Sequence, residues 1–128
     1  QMTDEVLDAL WAQLGLLRSH RVAHRDLRLA NVFMADDGQV WMIDFGFSEI
    51  AASDLLLATD LAELLASQSL VVGIDRTIAA GLATVGAESL VTAVPRLRPF
   101  ALSGATRTAM KEHDGLLDEL RERVAALA

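Results

Sequence analysis

A chain of 128 residues is long enough for one domain with a buried core, and a hydrophobic content of 52% with only 5% aromatics suits a mainly helical globular body. Without a single cysteine it has neither disulfides nor thiolate metal sites, a composition that fits a reducing compartment. With 18 acidic against 11 basic residues, the net charge of −7 argues against a general nucleic-acid-binding surface.

Thr3 is a candidate N-cap, with Asp4 and Glu5 in the first turn where carboxylates favour the helix dipole. Val6, Leu7, Leu10, Trp11, Leu14 and Leu17 follow at helical spacing, which predicts a helix over 4–18 with Trp11 in the core. His20 has no partner at metal-ligand spacing and reads as a loop residue. No stretch reaches about eighteen uninterrupted apolar residues, and no basic segment followed by an apolar one opens the chain, so no membrane span is expected in this segment. The chain begins with Gln1, directly at a helix, which reads as a piece of a longer protein.

The rest is organised around residues 24–46, HRDLRLANVFMADDGQVWMIDFG. Two short apolar runs, Val32-Phe33-Met34 and Val40-Trp41-Met42-Ile43, flank Ala35-Asp36-Asp37-Gly38, a turn signal, and predict a small β-hairpin. Such a hairpin sets Asn31 and Asp44 at neighbouring ends. Read singly, Asp26, Asp36 and Asp37 are ordinary turn or cap residues. Taken together, His24-Arg25-Asp26, Asn31 five residues later and Asp44-Phe45-Gly46 thirteen residues beyond Asn31 form an ordered set that resembles the catalytic loop and metal-binding triplet of the protein-kinase superfamily.

That resemblance implies a fold and a chemistry. The fold is mainly α with a small β-hairpin, a protein-kinase-like C-terminal lobe (α+β). The N-terminal lobe is absent, since no glycine-rich loop precedes the motif and the only lysine is Lys111. Phosphoryl transfer from ATP needs an acceptor hydroxyl held in line and divalent cations bridging the phosphates. Magnesium takes hard oxygen ligands, which Asn31 and Asp44 would supply, while Asp26 would accept a proton from the substrate hydroxyl as catalytic base. Arg28 would contact the transferred phosphate, Phe33 would form part of the adenine floor, and His24 would pack on Phe45. Arg18, Arg21, Arg25 and Arg28 crowd beside the motif, a local positive patch that suits a polyphosphate or is plain surface charge.

Downstream, Asp60 opens a helical run, DLAELL, only sixteen residues beyond Asp44. The link leaves no room for an activation loop or peptide-docking platform, so the wording looks more like the aminoglycoside phosphotransferase, lipopolysaccharide-kinase and RIO-like branches. There Asp60 would be a strut bonded to the catalytic-loop backbone; by residue preference alone it is a helix cap. Ser48, Ser53 and Thr59 sit in too short a segment for a phospho-switch. Ile74, Ile78, Leu82 and Val85 predict a helix broken by Gly86, and 87–94 another short one. Pro95 to Pro99 reads as an extended connector whose two arginines are solvated or face an acidic lipid or substrate.

From about Thr106 to Ala128 a single charged helix is expected, with a seam of Met110, His113, Leu117, Leu120, Val124 and Leu127 and a weak point at Gly115. The division expected is a kinase-like lobe over 1–102 and a C-terminal helix over 103–128 that packs on it or leads onward. The expected function is an ATP- and Mg2+-dependent phosphotransferase of a bacterial type. It would act on a small-molecule, sugar or lipid hydroxyl, in the cytoplasm or on the cytoplasmic side of a membrane-anchored parent, with the N-lobe supplied by the rest of the chain. A non-catalytic pseudokinase module that binds a partner or senses nucleotide is the alternative, and the 44–102 wording is also similar to kinase-like segments attached to bacterial membrane proteins of the lysylphosphatidylglycerol-synthase type.

Overall fold

The computed structural model describes residues 3–23, 32–34, 40–42, 49–50 and 53–128, with side chains described over 3–21 and 53–128. The domain is mostly helical. Helix α1 (Asp4–Ser19) starts where the cap predicts, with the Thr3 hydroxyl accepting from the Val6 N–H at 3.2 Å and Asp4 and Glu5 in the first turn. Its apolar stripe buries Leu7, Leu10, Trp11 and Leu14, and His20 caps its exposed end.

Among the described residues four short strands follow. β1 (Val22–Ala23) pairs antiparallel with β4 (Glu49–Ile50), and β2 (Val32–Met34) pairs antiparallel with β3 (Val40–Met42) in the register Val32 with Met42, Phe33 with Trp41 and Met34 with Val40. The expected turn over 35–38 lies outside the described residues.

Helix α2 (Asp54–Val72) is the spine of the domain. It starts six residues earlier than the sequence reading placed it, because the Ser53 hydroxyl takes the Leu56 N–H and caps the helix there. Asp60 is therefore no cap: it lies inside the helix, 2% exposed. From Leu57 to Ser69 every residue but Thr59 is buried, since β1, the helices over Ile74–Thr84 and Gly104–Met110 and the segment around Val94 all pack around the helix. A helix covered on all sides is apolar on all sides. By length and composition α2 could cross a membrane, contrary to the expectation that no segment could, because its two interior carboxylates and few neutral polar residues leave it apolar on average. Two-thirds of that window is buried inside the domain, as in the core helix of a globular protein.

Gly73, at φ 90°, turns the chain into α3 (Ile74–Thr84), which lies against α1. The approach is close: a Cβ on Gly81 would stand 3.0 and 3.2 Å from the Leu90 methyls and 3.2 Å from the Trp11 ring. Helix α4 (Gly86–Val91) places Leu90 in that contact. The connector over 95–99 is not extended. Two 3₁₀ turns, Val94–Arg96 and Pro99–Ala101, fold it back so that Leu97 is fully buried, and each carries a proline at a position that needs no N–H. Arg121 Nη1 donates to the Leu97 carbonyl at 2.9 Å and holds the bend.

The terminal stretch is two helices, α5 (Gly104–Met110) and α6 (Leu116–Ala125), where one was expected. The break falls at Gly115, whose φ of 80° glycine adopts without strain. Met110, Leu120 and Val124 join the same core as Leu7, Trp11, Leu61 and Leu65, while His113, expected on the seam, is exposed.

Candidate functional site

The residues expected to carry the chemistry fall in the segments around the strands. Asp26, Arg28, Asn31 and Asp44 lie outside the described residues, and Phe33 is placed only as the middle residue of β2, opposite Trp41. Among the described residues no group of three or more His, Asp or Glu could hold a metal ion. What the structure does define is the frame that those segments join. Val32 and Met42 pair at one end of the β2–β3 ladder, and Met34 and Val40 at the other.

At the foot of this frame, where α1 ends and α2 begins, four charged side chains gather. Arg21 Nη2 meets Asp54 Oδ1 at 2.7 Å. This hydrogen bond first, and the arginine's charge second, hold the exposed Asp54 carboxyl below its usual range. Arg18 is half-buried. Burial lowers its pKa, and the opposing fields of Asp54 and the buried Asp60 only partly offset that, with Arg21 adding to the lowering. Its Nη1 is buried without a hydrogen-bond partner. Arg18 and Arg21, counted from sequence as a polyphosphate patch or surface charge, thus face the acidic groups of α2's first turns. Arg21 itself has a left-handed backbone, φ 53°, which turns the chain from α1 into β1.

A second polar cluster escaped the sequence reading. Glu63, 4% exposed on α2, accepts from the Ser103 N–H at 2.7 Å, from the Ser103 hydroxyl at 3.2 Å and from the Thr106 hydroxyl. Ser103 in turn caps α5, its hydroxyl taking the Thr106 N–H at 3.2 Å. A buried carboxylate is tolerated where donors surround it, and here it ties α5 to the spine. No local signal could reveal this, because the partners stand 40 and 43 residues further on. The other buried side-chain bond across elements runs from Trp11 Nε1 to Gln68 Oε1, 2.7 Å, with Gln68 Nε2 and Ser69 Oγ left without partners.

With this frame in view, comparison with known proteins adds a direction. Serine/threonine-protein kinase 36 from Pongo abelii and from Mus musculus are each 29% identical over 65 residues, which is 48% of this chain and 5% of each relative. Serine/threonine-protein kinase kin-29 from Caenorhabditis briggsae is 38% identical over 48 residues, 38% of this chain and 6% of the relative. The chain thus aligns with about a twentieth of the length of these relatives. No family model matches, and no solved structure matches. These partial likenesses support a kinase-like relationship.

Proposed function

We propose that the chain is the C-terminal-lobe portion of a kinase-like phosphotransferase that uses ATP and Mg2+ to phosphorylate a small-molecule, sugar or lipid hydroxyl. The observation that carries this reading is the partial similarity to serine/threonine kinases across about half the chain, in a sequence that holds HRDLRLAN and IDFG in kinase order. The pairing of Val32 with Met42 supports it, since a ribbon closed at its other end, between Met34 and Val40, by a turn over 35–38 would deliver Asn31 and Asp44 to one mouth.

In this reading the amide oxygen of Asn31 and the carboxylate of Asp44 are hard donors of the kind magnesium takes, and the metal would neutralise charge on the transferred phosphoryl group. Asp26 would orient and deprotonate the acceptor hydroxyl, Arg28 would steady the phosphate, and Phe33 would lie beneath the adenine. Asp60, buried inside α2, would brace the loop that carries Asp26. A nucleotide cleft also needs the lobe that covers the phosphates, and the parent chain would supply it from outside residues 1–128, so these residues alone should transfer negligible phosphate.

The test is ATP hydrolysis and phosphoryl transfer by the complete parent beside its Asp26→Asn and Asp44→Ala versions. General-base loss should lower turnover by about a hundredfold or more, with nucleotide binding retained in Asp26→Asn. Equal rates in all three proteins would refute catalysis by these residues, and nucleotide binding without turnover would assign the module to the pseudokinases.

A further inference from the structure

Between Pro95 and Lys111 this acidic chain carries Arg96, Arg98, Arg107 and Lys111 and not one Asp or Glu, although the whole sequence holds 18 of them. The two 3₁₀ turns carry Arg96 and the exposed Arg98 beside it, and α5 carries Arg107 and ends at Lys111. Arg96 lies 5.5 Å from the centre of the Phe100 ring, and its Nε donates to Thr59 Oγ1 at 3.1 Å. Arg107 Nη1 reaches the Pro99 carbonyl at 3.3 Å. Phe100 itself is 71% exposed, the most exposed large apolar side chain among the described residues. Beside it opens a cavity of about 270 Å³ with an apolar floor of Leu102, Met110 and Leu117 and with Arg107 and Lys111 on its rim. Asp114 and Asp118 also line this cavity, and Asp118 is already engaged by Arg121 at 2.6 Å.

We propose that this face, the exposed Phe100 ring set among Arg96, Arg98, Arg107 and Lys111 beside an apolar cavity, docks on an anionic phospholipid surface. A ring left in water on a stacked arginine, with flexible cationic side chains around it, has the division of labour of a membrane-surface contact: the apolar group enters the acyl boundary while the cations meet headgroup phosphates. Charge complementarity selects this partner. The net charge of −7 is screened beyond about 10 Å at 0.1 M salt, so at contact the charges within that distance of the surface dominate. An acidic peptide would satisfy the arginines but would leave the exposed ring and the open cavity without a counterpart. The proposal does not depend on the phosphotransferase reading.

Co-sedimentation of the protein with vesicles of phosphatidylcholine, with and without phosphatidylserine, tests it. Binding should require phosphatidylserine and weaken with salt, and Arg98→Ala with Lys111→Ala should lower the partition coefficient roughly twenty-fivefold, about fivefold for each charge near the surface. Lys111→Arg should retain binding. Phe100→Ala should weaken binding at unchanged charge, and Phe100→Trp should show a blue-shifted emission on anionic vesicles. All these positions are exposed, so the fold should survive each change, as far-UV circular dichroism would verify. No binding to phosphatidylserine vesicles, equal binding to phosphatidylcholine alone, or binding indifferent to these substitutions would overturn the proposal. So would capture by an acidic peptide without capture by vesicles.

Discussion

Replacing Glu63 by alanine removes the acceptor of three hydrogen bonds at once, and the structure allows the loss to be estimated. The Ser103 hydroxyl keeps its bond to Thr106 Oγ1 at 3.0 Å, but the Ser103 N–H loses its 2.7 Å partner and the buried Thr106 hydroxyl loses its acceptor. Bonds to a charged acceptor contribute about 1.5–3 kcal/mol each and an orphaned buried donor costs about 1–3 kcal/mol, partly offset because a desolvated carboxylate disappears. The net cost should be about 3–4 kcal/mol, a large share of a typical domain's ~5–15 kcal/mol. For a chain of this size that is a fall in Tm of roughly 10–15 °C.

Urea titration followed by circular dichroism should show it, with Glu63→Gln losing about half as much because one carbonyl oxygen remains. In a double-mutant cycle with Thr106→Val the coupling should exceed ~1 kcal/mol. A Glu63→Ala protein within ~1 kcal/mol of the parent, or additive single mutants, would refute the idea that this carboxylate fastens α5.

Three further outcomes follow from the packing and charge. Gly81→Ala should destabilise by about 1–2 kcal/mol, because the new methyl meets the Leu90 methyls and the buried Trp11 ring at 3.0–3.2 Å and that overpacking outweighs the ~1 kcal/mol gained in helix propensity; calorimetry would read it. Trp11→Phe should cost about 2–3 kcal/mol in urea titration, since Gln68 would then have both its amide oxygen and its amide nitrogen buried without partners. Asp54 has a depressed folded pKa, so its contribution is complete above the ordinary carboxylate value near ~4 and is lost as pH falls through the lower folded value. An NMR titration of its carboxyl should midpoint below ~4, and Arg21→Ala should restore the ordinary value.

Helix α1 was legible almost to the residue, because its cap, its first-turn acids and its stripe all point the same way. The start of α2 was not. Asp54-Leu55-Leu56-Leu57 shows no helical period, because Leu55 stands exposed beside the buried Leu57, and Asp60 drew attention as a cap that Ser53 already provides. At Gly115 the local weakness was visible, yet only the positive φ shows that one helix becomes two. Pro95 and Pro99 suggest an extended chain by local rule, but burying Leu97 favours turns. Of the candidate site, the ladder register of β2 and β3 is in view, while the motif side chains that would act lie outside the described residues.

The clamp between Glu63 and the start of α5 bears on how the chain is made. During synthesis the apolar spine is finished some thirty residues before Ser103 is added, and until then the Glu63 carboxylate and the side of the spine that α5 covers lack their partners, although α1, β1 and α3 are already made. The nascent protein should consequently lean on chaperones through that interval. A proteolytic nick or premature stop just ahead of Ser103 should yield an aggregating product, not a smaller soluble one.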